Sequence, residues 1–175
     1  ALVVDHAGQG HAAELSVVID SDGSGVQHPP DVARDAQVAA QLAVAVALGP
    51  AAESVGVRWN LRGMKGELQG TSLGLPLAVA LHCPLHRLQL PTGLAFTGGV
   101  DLDGRIAPVA GIPAKLRAAA GIGCKTIYVP TDGLGQLSAP RGLSVVPVRT
   151  FSSIISRLFP DTKVEAKRRF NFRWL

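Results

Sequence analysis

The sequence predicts an α/β fold, in its α+β variant: one domain with a mixed sheet and flanking helices. Three observations carry that prediction. Short β-branched or alternating stretches, such as ELSVVID at 14–20 and ESVGVRWNL at 53–61, are interleaved with apolar runs at helical spacing. The chain has 175 residues, 47% of them hydrophobic, which is enough for one domain with a core and too few for two ordinary ones. Glycine and turn clusters punctuate the elements at short intervals, and no internal repeat is visible.

Taken in order, ELSVVID reads as a strand that leaves into the turn SDGSG. Pro29-Pro30-Asp31 then offers a stop and an N-cap. Val32, Ala36, Ala39, Ala40, Ala43, Val44 and Ala47 recur at helical spacing until Gly49-Pro50 ends the run. In the next strand Val55, Val57, Trp59 and Leu61 share one face, and glycines 63, 66, 70 and 74 bracket a loop. LPLAVALHCPL reads as a buried helix with Pro76 in its first turn and Pro84 at a kink or its end. GLAFTGGVDLDGRIAPV at 93–109 predicts one hairpin turning at Asp103-Gly104. Ile112-Pro113 opens the helix PAKLRAAAGI, which stops near Gly121. KTIYVP and LSVVPV are short strands, and TFSSIISRLF is a closing amphipathic helix capped by Thr150.

Charge and composition narrow the function classes. The net charge is +4, and KVEAKRRFNFRWL at 163–175 supplies all of it, so residues 1–162 form a neutral body and 163–175 a basic, aromatic tail. The body therefore offers no electrostatic footprint for nucleic acid, and the tail is the one segment that could meet a polyanion; a subunit or domain contact suits its Phe170, Phe172 and Trp174 better. No uninterrupted apolar stretch reaches membrane-spanning length, and ALVVDHAGQG lacks the form of a signal peptide. The expectation is a soluble, cytoplasmic protein, processed or cut from a larger one, since Met64 is the only methionine. Cys83 and Cys124 give no disulfide framework and suit a reducing compartment.

The chemistry centres on QGTSLG at 69–74. Gly70-Thr71-Ser72-Leu73-Gly74 has the spelling of a nucleophile elbow, yet an α/β-hydrolase needs a histidine after its acid, and none occurs beyond His86. His6, His11 or His28 with Asp31 or Asp35 could in principle serve a His-Asp-Ser order, but their surroundings do not resemble such a site. A serine can instead be activated by a neutral lysine, which needs apolar surroundings and no carboxylate partner. Lys115 in IAPVAGIPAKL meets that description, and its place in the first turn of a helix sets the positive end of the dipole against an ammonium. Ser72, at a helix start, would have backbone N–H groups at hand for an oxyanion.

These residues resemble the proteolytic domain of Lon proteases: GTSLG is followed by FTGGVDLDGRIAPVAGIPAKLRAAAGIGCKTIYVP, with the motifs concentrated in residues 66–130 and the order of elements fitting the same fold over 12–160. Ser72 and Lys115 lie 43 residues apart, as in that family's Ser-Lys dyad. The resemblance implies that Ser72 is the nucleophile and Lys115 the general base, that Thr97 supports the dyad, and that Gly70 and Gly74 shape the serine loop. It also implies a polypeptide substrate, a hexameric ring as homo-oligomer, and coupling to an AAA+ ATPase. No GxxxxGK[ST] occurs here, so no cofactor is expected in this chain and ATP would be used by a partner or another segment. The chain departs from the pattern at Gln69, where the family has an acid, at Thr71 for proline, at Leu73 for alanine and at Gly99 for glutamate. The alternative is a catalytically silent assembly domain of a DNA-processing or ATPase machine; such domains typically lack the serine or the lysine.

Other patterns lead to bland readings. His82 and His86 sit four apart, but the glutamate of HExxH is missing and Pro84 lies between them, so they are read as ordinary, partly exposed side chains and no metal is expected. His6, His11 and His28 receive no role, and SDGSG without a following Gly-Lys is a turn.

Overall fold

The computed structural model describes residues 2–4, 10–63, 66–132, 134–135 and 138–160. The basic tail, the 162/163 boundary and His6 lie outside the described residues. The α/β expectation holds, built from four small sheets and four α-helices among the described residues. Strands β1 (Leu2–Val4) and β2 (Gly10–Ala12) pair antiparallel, and β3 (Glu14–Asp20), β4 (Gly25–Gln27) and β5 (Gly56–Arg62) form a mixed sheet in the order β3-β5-β4. In that sheet β3 is antiparallel and β4 parallel to β5. Helix α1 (Arg34–Leu48) runs into a 3-10 turn at Gly49–Glu53.

Helix α2 (Gly74–Leu85) follows the glycine loop. Strands β6 (Leu94–Phe96), β9 (Thr126–Pro130) and β10 (Ser144–Val148) make a wholly parallel sheet in the order β10-β9-β6, while β7 (Gly99–Val100) and β8 (Ile106–Ala107) form a small antiparallel pair. Helix α3 (Ile112–Gly121) precedes β9, and α4 (Phe151–Leu158) closes the described chain with Thr150 Oγ1 accepting from the Ser153 N–H at 3.2 Å, as predicted.

Pleating sorts the core into two layers around the parallel sheet. Ile127 and Val129 of β9 and Ala95 of β6 face one way, into a cluster with Ile112, Leu116 and Ala119 of α3. Tyr128 and Phe96 face the other way, stacked at 5.1 Å, into the larger cluster with α1, α2, α4 and β5. A parallel sheet covered on both faces is what strands of this apolar character require. The predicted inward face of α1 is buried at Ala36, Ala39, Ala40, Ala43, Val44 and Ala47, and α1 packs on α2. Residues 34–53 are long and apolar enough to cross a membrane by composition alone; here that composition serves the core.

Four sequence expectations are corrected. Strands β1, β2 and β4 were not foreseen: at three residues each they carry no periodic signal, and their pairing is decided by tertiary contact. Asp31 is not the cap of α1, which starts after Ala33; Asp31 instead adopts φ +59° and its carbonyl accepts from the Leu68 N–H at 2.8 Å. The stretch 93–109 is not one hairpin. Its turn at 101–105 closes β7 on β8, but β6 pairs with β9, 30 residues on, and the chain breaks direction at Gly98. The strand expected from 53 begins at Gly56, because residues 49–53 wind into the 3-10 turn.

Candidate active site

The serine loop is strapped from both sides. On one side Leu68, deeply buried, exchanges backbone bonds with residues 31–33: its N–H donates to Asp31 O and its carbonyl accepts from Ala33 N at 2.9 Å. Gly70 turns at φ +79°, a conformation that only glycine adopts freely. On the other side the Gly98 N–H donates to Ser72 O at 3.3 Å, and Gly98 O accepts from the Leu75 N–H at 2.8 Å. Gly74 lets the loop come this close, since a Cβ there would stand 2.9 Å from the Val100 nitrogen.

This geometry shifts Ser72 from the helix start at which the sequence places it. Leu73 already has helical dihedrals and α2 starts at Gly74, so Ser72 sits in the turn before it. The start of α2 also offers fewer free donors than a helix N-terminus usually does. Gly74 N–H bonds Thr71 O at 3.0 Å, Leu75 N–H is taken by Gly98 O, Pro76 has no N–H, and Leu77 N–H bonds Leu73 O.

Thr97 follows directly on β6. Its N–H extends the parallel ladder to Tyr128 O at 3.1 Å, and alternation along β6 puts it on the side of Ala95, the side covered by α3. Lys115 lies on that helix. The spacing Ile112, Lys115, Leu116, Ala119 makes one inward face, and the amide of Lys115 closes the first turn onto Gly111 O at 3.1 Å. Four polar or charged side chains are buried among the described residues, and Ser72, Thr97 and Lys115 are three of them. Burial pushes the Lys115 ammonium down from 10.5 to about 8. Among the described residues no carboxylate pairs with it.

The backbone thus ties Ser72 to Thr97 through Gly98, and the sheet's pleat sets Thr97 on the Lys115 side. No hydrogen bond joins the Ser72 hydroxyl to Lys115 among the described residues. Every fully enclosed side-chain nitrogen or oxygen among them has a partner, so a hydroxyl and an ammonium without one each keep a small opening to solvent.

The fourth buried polar group, His82, was expected to be partly exposed. It is enclosed at the end of α2, edge-on to Phe151 of α4 at 5.6 Å and 4.1 Å from the exposed ring of His86; burial first, then His86, pushes it down to about 4. Among the described residues no cluster of three ligand-type side chains could hold a metal. His28, given no role from sequence, accepts from Trp59 Nε1 at 3.2 Å, and burial lowers its pKa. Two contacts near the site escaped the sequence reading, which weighed Asp35 only as a triad acid. Asp35 accepts from the Gly70 N–H at 2.8 Å, and Gly10 of β2 lies so close to α3 that a Cβ would fall 2.2 Å from Ala114 O. Neither left a signal in the sequence, because each meets a partner far along the chain.

Comparison with known proteins gives the family of the chain. The family model of the Lon protease (S16) C-terminal proteolytic domain matches residues 64–159, which include Gly70, Ser72, Gly74, Thr97 and Lys115. Lon protease 2 of Bacillus subtilis is 25% identical over 101 residues, covering 57% of this chain and 18% of that protein. The archaeal Lon protease of Archaeoglobus fulgidus is 22% identical over 149 residues, 83% of this chain and 24% of that protein. The DNA repair protein RadA of Treponema pallidum is 34% identical over 92 residues, 53% of this chain and 20% of that protein. The chain therefore spans about a quarter or less of these relatives. With more than half of its residues matched, the chain belongs to the family of Lon protease C-terminal proteolytic domains.

Proposed function

We propose that this domain is a serine endopeptidase in which Ser72 attacks the peptide carbonyl and Lys115 is the general base. The observation that carries the proposal is the buried lysine. With its pKa at about 8, a useful fraction of Lys115 is neutral near pH 7 and able to take the Ser72 proton, where an ordinary lysine is almost wholly charged. Lys115 would then return that proton to the leaving amine, and water would release the acyl group from Ser72 Oγ. Thr97, on the Lys115 side of β6 and tied to Ser72 through Gly98, would orient the pair. Since the amides of Gly74, Leu75 and Leu77 are engaged, the oxyanion would be received by the N–H groups of Ser72 and Leu73. The substrate class is unfolded or marked polypeptide, and the working assembly a ring of copies served by an ATPase outside this chain, in the cytoplasm.

A second reading has one observation in its favour, the likeness to a protein named for DNA repair: the domain would be a silent assembly module. Cleavage of an unfolded protein by wild type, Ser72→Ala and Lys115→Ala, with and without an AAA+ partner, separates the two. Cleavage abolished in both variants supports the peptidase; wild type as inert as the variants in every condition rejects it.

A further inference from the structure

We infer that Asp35 is a positioning residue for the serine loop, acting on Ser72 through the backbone of Gly70; this rests on Ser72 being the nucleophile. Asp35 stands in the first turn of α1, where the helix dipole favours its negative charge. Its two oxygens are divided between two elements. Oδ1 accepts from the N–H of Ala36 in its own helix at 2.8 Å, and Oδ2 accepts from the N–H of Gly70 at 2.8 Å. The first bond fixes the carboxylate's orientation, and the second hands that orientation to the loop.

The bond falls at the loop's softest point. Gly70 has φ +79° with open space where a side chain would be, so its backbone has no packing to hold it. Upstream, Leu68 is locked by its two backbone bonds to Asp31 and Ala33 and a parallel bridge to Val32. Downstream, Ser72 is held through its own carbonyl by Gly98. Between those anchors the Asp35 bond ties the turn to another element. The side chain of Gln69 stays within the loop, its Nε2 donating to Glu67 Oε2 at 2.7 Å. Asp35 thus brings to the loop, from another element, a carboxylate that position 69 lacks. The start of α1 and the serine loop form one braced unit, and the nucleophile's placement depends on a helix that never reaches the chemistry.

The test uses the whole chain with Asp35→Ala and Asp35→Asn. Amide hydrogen exchange at Gly70 should speed up about tenfold in Asp35→Ala, while amides in the middle of α1 keep their protection. Peptide cleavage should lose about tenfold in kcat with KM and the pH midpoint unchanged, because the base is untouched and only the aim of Ser72 is loosened. Asp35→Asn, which keeps one carbonyl oxygen for Gly70, should recover part of both. Wild-type exchange at Gly70 in Asp35→Ala, or a KM effect without a kcat effect, overturns the assignment. If wild type cleaves nothing, the peptidase reading falls by itself, and exchange at Gly70 still decides whether Asp35 holds the loop.

Discussion

Replacing Lys115 by methionine should make the protein more stable while abolishing its proposed chemistry. In the folded chain burial lowers the lysine from 10.5 to about 8. At about 1.4 kcal/mol per pKa unit, keeping the ammonium folded at pH 7 costs about 3 kcal/mol. Methionine has similar length and no charge, so Lys115→Met should recover a large part of that cost, raising Tm by roughly 2–4 °C per kcal/mol for a domain of this size. The sign is fixed by proton binding. The unfolded chain holds the lysine proton more tightly, so wild-type stability rises with pH across the window, with the whole penalty present below about 8 and gone above 10.5. The advantage of the variant must therefore shrink as pH climbs through that window. Urea unfolding of both proteins at pH 7 and pH 10 measures it. A variant no more stable than wild type at pH 7, or one with the same advantage at both pH values, would refute the argument that burial tunes this lysine.

Two further predictions follow from neighbouring geometry. Gly10→Ala forces a methyl against backbone, 2.2 Å from Ala114 O, so β2 must lift off the first turn of α3; Lys115 gains solvent, and the pH midpoint of cleavage should move from about 8 toward 10.5. An unmoved midpoint would show that β2 does not help to bury the lysine. His82 is held neutral by burial and, second, by His86, so the fold should lose stability as pH falls from 6.5 to about 4; His82→Leu should flatten that acid limb in urea titrations, and an unchanged limb would count against these causes.

How much of this was legible in sequence depends on the range of the contact. The inward face of α1, the bounds of α3 and the alternation in β5 are local patterns, and they read correctly because one element's own residues decide them. Lys115 stood out because a cation on an apolar helix face conflicts with its surroundings, and that conflict needs no partner to be visible. The split of 93–109 at Gly98 was hidden because β6 finds its partner in β9, and local turn chemistry at Asp103-Gly104 is equally consistent with a longer hairpin. The Asp35–Gly70 bond joins residues 35 apart, and an aspartate in a first helical turn ordinarily needs no further explanation.

The placement of the glycines explains how one short chain can bury a lysine beside its serine loop. This lysine loses its proton more readily because burial crowds out water, and such crowding is helped where chains approach without side chains between them. Gly10 does this between β2 and α3, Gly74 between α2 and β7, and Gly98 against Ile106 and Pro130. Each contact lies beside one of Ser72, Thr97 or Lys115 in the chain or on the element packed against it. Loosening any one should therefore act on the tuning of the lysine or the aim of the serine as well as on the fold, since Val100, Ile106 and the inward face of α3 belong to the two apolar clusters. A glycine-to-alanine series at these positions should consequently shift the pH midpoint at Gly10 and the kcat at Gly74 and Gly98. Uniform loss of stability with neither kinetic change would mean that the glycines serve packing alone.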